Sequence, residues 1–193
     1  MTGARFRKSE EGAAAVEFAL LLPILITLFF GVVETTLALV CRADVSQMAS
    51  TAADLISQVK TASTADISNI YAASGTVLYP YYAGGATGKP TIRITSVNYD
   101  STLGSPTTSG KVAWSCTQAG TGTLTPASRS VGSTVSFSQP LMTTNGSVIM
   151  AEIAYSYASP TTKVITGPIN MTNNFYTKPR RTAQIASPTG GCP

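Results

Sequence analysis

The chain has 193 residues, a formal net charge of +4, a charged fraction of 11% and no histidine. That length leaves room for one ordinary domain and an anchor, and the mild charge, scattered except at Arg5, Arg7, Lys8 and at Arg180, Arg181, excludes a nucleic-acid footprint. Without histidine the usual general base is missing, and Asp44, Asp54, Asp66, Asp100 and Glu152 form no recognisable catalytic pair. No enzyme, cofactor or metal centre is therefore expected.

In chain order, the basic cluster Arg5, Arg7, Lys8 precedes an apolar run. No charged residue falls between Phe18 and Val33, and the low-charge stretch continues past Glu34 to Val40. About 20 residues at ~1.5 Å each cover the ~30 Å core of a bilayer, whereas a signal-peptide core needs only about 7 to 15. The run is read as a membrane anchor over residues 14–40. The basic cluster predicts a cytoplasmic amino terminus, with everything after Arg42 sent across the membrane. Signal cleavage near Ala38 to Arg42 lacks the small residues it needs, and Val40 is too branched for a lipoprotein site at Cys41. Pro23, inside the run, predicts a bend.

Beyond Arg42 the helical period persists. Cys41, Val45, Met48, Ala52, Leu55 or Ile56 and Val59 recur at steps of three and four, with Arg42, Asp44, Gln47, Ser50, Asp54, Gln58 and Lys60 opposite. One helix over residues 13–60 is expected, on the order of 70 Å long. A Ser/Thr-rich break follows. A short second helix then begins near Asp66, buries Ile67, Ile70 and Tyr71, and ends about Ser74-Gly75.

Three strands are expected: Thr91 to Tyr99, Lys111 to Gln118 and Ser147 to Tyr157. The last alternates most clearly, so it should lie centrally with one face against the long helix. Tyr155, Tyr157, Phe175 and Tyr176 are expected in the core. Gly104 to Gly110, Gly120 to Ser133 and Thr143 to Gly146 read as surface loops. The predicted fold is α+β: a long amino-terminal helix, membrane-spanning and then amphipathic, packed on a small antiparallel sheet. Its segments are a cytoplasmic leader (1–12), the helix (13–60) and an exported domain (61–193).

Once exported, Cys116 and Cys192 are expected to pair, the alternative being two unpaired thiols; pairing would close a loop of roughly 75 residues and stabilise the domain by ~3 to 5 kcal/mol. Cys41 reads as a small free thiol in the helix.

The start of the apolar run reads Gly12, Ala13-Ala14-Ala15-Val16, then Glu17 and Phe18. It resembles the TadE/TadG-like minor pilins, or pseudopilins, of tight adherence (Flp, type IVb) pilus systems. In those proteins a prepilin peptidase cuts after a glycine, and the mature chain has glutamate fifth and an aromatic sixth. Major Flp pilins usually have tyrosine there, so Phe18 leans toward the TadE-like branch. Ile153 to Tyr157, Lys178-Pro179-Arg180-Arg181 and Cys192 give the tail a weaker similarity.

The resemblance implies cleavage between Gly12 and Ala13, with Glu17 and Phe18 serving assembly. It further implies a prepilin peptidase, other major and minor pilins and an inner-membrane assembly platform as partners. The implied location is the bacterial inner membrane, single-pass with the carboxy-terminal domain periplasmic, and an extracellular pilus after processing. The physical chemistry of Glu17 agrees, since a carboxylate at the membrane edge is tolerated where one in the core would cost ~2.5 to 3.5 kcal/mol. An interfacial acid with no role would satisfy the same energetics. The competing function is an uncleaved inner-membrane anchor whose periplasmic domain binds a ligand through residues 104–146.

Overall fold

A computed structural model of the protein describes residues 10–82, 88–104, 107–120 and 129–192. Arg5, Arg7 and Lys8, Gly84-Gly85 and parts of the two long glycine-rich loops lie outside the described residues.

The first element is α1, Glu10–Ser57, a helix of 48 residues. Its opening alanines and straight-chain apolar residues are strong helix formers, and it runs through Pro23 without interruption. The threonine hydroxyls along the apolar run are satisfied within the helix. The hydroxyls of Thr27, Thr35 and Thr36 donate to the carbonyls of Pro23, Gly31 and Val32 at 2.9, 2.7 and 2.8 Å. Side chains that return their donors to the preceding turn expose little polarity to an apolar medium.

The chain forms two compact units. The first comprises α1 up to Leu39 together with Ala158–Pro168. From Gly12 to Phe29 every side chain in it is exposed, and burial begins with Glu34 and Ala38. This helix has an apolar window long enough to cross a membrane, and none of that window is buried within the protein.

The second unit runs over Val40–Tyr157 and resumes at Ile169. It contains the rest of α1, β1 (Thr61–Ser63), α2 (Thr64–Gly75), a 3-10 turn (Thr76–Leu78), β2 (Thr91–Asn98), β3 (Ser109–Gln118), β4 (Thr134–Ser136), β5 (Ser147–Tyr157), β6 (Ile169–Thr177) and β7 (Ala186–Thr189). Five strands form an antiparallel sheet in the order β4-β3-β2-β5-β6, while β1 and β7 pair in parallel beside it. The fold is thus α+β. The central strand is β2, with β5 at its side, and both faces of β5 are buried.

The helix ends have specific causes. At the start of α2, Ser63 Oγ accepts from the Asp66 N–H at 3.1 Å and Asp66 Oδ2 accepts from the Ser63 N–H at 3.0 Å. This reciprocal cap satisfies two otherwise unpaired donors, and the Ser63 hydroxyl holds the Asp66 carboxyl below its ordinary value. α1 ends at Ser57, where the Arg180 N–H donates to the Ser57 carbonyl at 2.9 Å and the Arg180 guanidinium pairs with Asp54.

One face of the sheet carries Ile92, Ile94, Trp114, Ile149, Ile153 and Tyr157, all buried. The α1 stripe Cys41, Val45, Met48, Ala49, Ala52, Ala53 and Ile56 is also fully buried, with Cys41 near Tyr81 and Tyr155. α2 buries Ile67, Ile70 and Tyr71, and the Tyr71 hydroxyl donates to the Cys116 carbonyl at 2.8 Å. The Trp114 indole donates to the Ile185 carbonyl at 2.9 Å. The buried polar tips of Tyr71 and Trp114 therefore each have a partner.

The opposite face holds a second cluster, Val97, Val112, Val135, Phe137, Met142, Val148 and Met150. Beside it Glu152 accepts from Arg93 Nε at 2.5 Å and Arg129 Nη2 at 3.1 Å. Burial pushes the Glu152 carboxyl up, but the two guanidiniums outweigh it and leave it below its ordinary value. A disulfide joins Cys116 to Cys192 across 76 positions, a closure worth on the order of 4 kcal/mol. Cys41 is free and buried.

Three expectations are corrected. Phe175 and Tyr176 are 40% and 38% exposed, because β6 is an edge strand with solvent beside it. Gly110 lies within β3 and not in a loop; a Cβ there would meet the Asn98 carbonyl at 2.6 Å and Val97 Cγ1 at 2.8 Å, so the strands close only over a glycine. The helix stops at Ser57, three residues short of Lys60, because Arg180 takes its terminal carbonyl.

Candidate functional site

The residues singled out at the start of the chain lie on one exposed stretch of α1. Gly12, Ala13, Glu17 and Phe18 are all exposed, Phe18 by 57%. A side chain at Gly12 would meet nothing within 4 Å. The backbone over Gly12 to Ala15 is helical, since the helix already begins at Glu10. Three successive alanines favour that helix. An enzyme acting on the Gly12-Ala13 bond must therefore unwind the first turn, which glycine weakens by about 1 kcal/mol relative to alanine.

Ala13 and Glu17 are four residues apart and so share a helix face. Among the described residues Glu17 has no hydrogen bond or ion pair. The carboxylate is presented on an apolar surface with nothing among the described residues to answer it.

Glu34 is the opposite case and was not singled out from the sequence. It is fully buried. Oε1 accepts from the Thr161 hydroxyl and from the Lys163 N–H at 2.8 Å, and Oε2 accepts from the N–H groups of Val164 at 3.1 Å and Ile165 at 2.5 Å. Thr162, with φ of +49°, turns the backbone so that three consecutive N–H groups converge on one carboxylate. A β-branched residue in the left-handed region is strained, and such strain persists only where the surroundings impose it. The sequence did carry a signal: Glu34 stands seven residues before Cys41 and eleven before Val45, in register with the stripe that is buried further along.

A cleft of about 530 Å³ in the second unit is lined by Tyr71, Tyr79, Tyr82, Lys89 and Gln118 among others. It lies away from most of residues 104–146, where the binding alternative looked for a ligand, and part of that segment lies outside the described residues. Among the described residues no group of three or more Cys, Asp or Glu side chains could hold a metal ion.

No curated protein and no solved structure matches the chain. Residues 12–54 match the family model described as TadE-like protein. The match begins at the glycine of the Gly12 to Phe18 motif and ends within α1, taking in the exposed apolar half, Glu34 and most of the buried stripe. Over this helix the chain is similar to the TadE-like proteins.

Proposed function

We propose that this chain is a minor pilin, or pseudopilin, cut by a prepilin peptidase after Gly12 and taken into a tight adherence pilus. Residues 1–12 form a cytoplasmic leader, residues 14–40 cross the inner membrane, and residues 61–193 form the exported domain. The observation that carries this reading is the contrast between a wholly exposed apolar helix from Gly12 to Phe29 and the one carboxylate within it, Glu17, which has no partner among the described residues.

Cleavage gives Glu17 a partner. It creates a cationic amine on Ala13, one turn away and at the positive end of the helix dipole, where a carboxylate is favoured. In the membrane, Glu17 sits at the cytoplasmic edge, within reach of headgroups and water. When subunits leave the bilayer for the filament, apolar stalks bury one another, and Glu17 of one subunit pairs with the new amine of its neighbour. A buried pair of this sort sets the stagger between subunits more than it adds stability. The assembly platform and the other pilins of the system are the partners that this route requires.

Two substitutions test the proposal in cells carrying the pilus system. Gly12→Val should leave a longer, unprocessed chain in the membrane. Glu17→Ala should be processed and folded but recovered in sheared filaments at a small fraction of the wild-type level. Wild-type incorporation of Glu17→Ala would remove the assembly role of Glu17. Normal pilus incorporation of an uncut Gly12→Val chain would remove the processing step.

A further inference from the structure

The clamp on Glu34 raises a question that pilus assembly alone does not answer: why a helix with an apolar surface should bury a carboxylate by drawing down eleven residues of the β5–β6 connection. The spacing suggests the reason. Glu34 follows Glu17 by 17 positions, about 25 Å along the helix at ~1.5 Å per residue, close to the ~30 Å thickness of a bilayer core. With Glu17 at the cytoplasmic edge, Glu34 emerges at the opposite edge. The segment clamped onto it then sits at that depth, because Ala158–Pro168 belongs to the same compact unit as the helix up to Leu39.

The composition of that segment fits such a place. Lys163 is its only charged residue, and it is exposed. Next to it Val164 is 46% exposed, although its own N–H is tied to Glu34. The clamp therefore consumes backbone donors and turns a lysine and a valine outward. Apolar side chains next to cations suit the boundary between phospholipid headgroups and acyl chains.

We propose that residues 158–168 are an interfacial foot, resting in the phospholipid headgroup layer on the far side of the membrane from Glu17. Lys163 meets lipid phosphate and Val164 enters the acyl boundary. Glu34 is the positioning residue that holds the foot at this depth and fixes how far the helix stands out of the bilayer. The inference rests on the membrane-anchored reading of α1.

The test uses the full chain in vesicles of phosphatidylethanolamine and phosphatidylglycerol. A polarity-sensitive fluorophore is placed at Val164→Cys, at Ile24→Cys as a deep reference and at Val131→Cys, whose parent residue is 74% exposed in a turn of the second unit, as an aqueous one. Cys41→Ala is present in each. The label at position 164 should be quenched by headgroup-level nitroxide lipid and severalfold less by aqueous iodide than the label at 131, and adding Glu34→Ala should restore iodide access.

Iodide access at 164 equal to that at 131, with the label at 24 still quenched by deep nitroxide lipid, would overturn the foot and leave the anchor standing. Iodide access at 24 as well would overturn the anchor and the foot together. Shielding at 164 that survives Glu34→Ala would overturn the positioning role of Glu34.

Discussion

The two halves of α1 are built from similar residues and meet opposite conditions. Before Phe30 every described side chain is outward and uncovered, while from Cys41 to Ile56 one stripe is fully buried and the other side is polar. The second half is explained by the fold: Met48, Ala49, Ala52, Ala53 and Ile56 are all fully buried. The first half is not explained by the fold at all. A surface with no partner among the described residues calls for lipid or other chains to cover it, and that is where the function is to be sought.

The same contrast appears in the carboxylates. Glu34 is spent on the chain's own backbone, whereas Glu17 is left over for something else.

Substitutions can break this contrast. The largest effect on the second unit is expected from Cys192→Ser, which removes a cross-link over 76 positions and should lower unfolding stability by on the order of 4 kcal/mol, read from the denaturant midpoint. In the stripe, Met48→Ala should cost about 3 kcal/mol, while Leu25→Ala in the exposed half should leave the same transition within about 0.5 kcal/mol. Equal losses from those two would erase the distinction between the halves.

Glu152→Gln sharpens the comparison within the second unit, since it strands the guanidiniums of Arg93 and Arg129 and should cost about 3 kcal/mol. The sign of the pH dependence follows. The folded-state pKa of Glu152 is depressed, so its contribution is present above the ordinary carboxylate range and is lost as pH falls through the lower folded-state value. The wild type should therefore destabilise on acidification below about pH 4, and the Gln variant less steeply. Asp100, held at about 2 by the Lys111 ammonium and Thr102, adds to the slope in both proteins. A smaller and local effect is expected at Glu34. Glu34→Ala should speed amide exchange at Lys163, Val164 and Ile165, and unchanged exchange there would show that the clamp does not order the segment. Glu17→Ala should have no effect on unfolding.

Much of this was legible in the residues, and what was not has physical causes. β5 could be read to its ends because Ile149, Ala151, Ile153, Tyr155 and Tyr157 alternate strictly. α2 was legible because Ile67, Ile70 and Tyr71 repeat at helical spacing beyond Asp66. β6 mixes Asn170, Asn173 and Asn174 with Ile169, Phe175 and Tyr176 and gives no clean alternation to read, and it pairs along the edge that β5 offers. β1 and β7 are short and pair in parallel over more than a hundred positions, a contact that no local pattern announces. Glu34 looked like an interruption of an apolar run, because its partners lie well over a hundred residues later. The residues Gly12, Ala13, Glu17 and Phe18 came from a family motif, and the fold adds only that they are helical and uncovered.

The measurement that bears most directly on the central claim is the intact mass and amino-terminal sequence of the protein recovered from native membranes, with and without the prepilin peptidase. A chain that begins at Ala13 only when the peptidase is present is the expected result. A chain beginning at Met1 or Thr2 in both would contradict it, and would leave an uncleaved membrane anchor carrying a periplasmic domain.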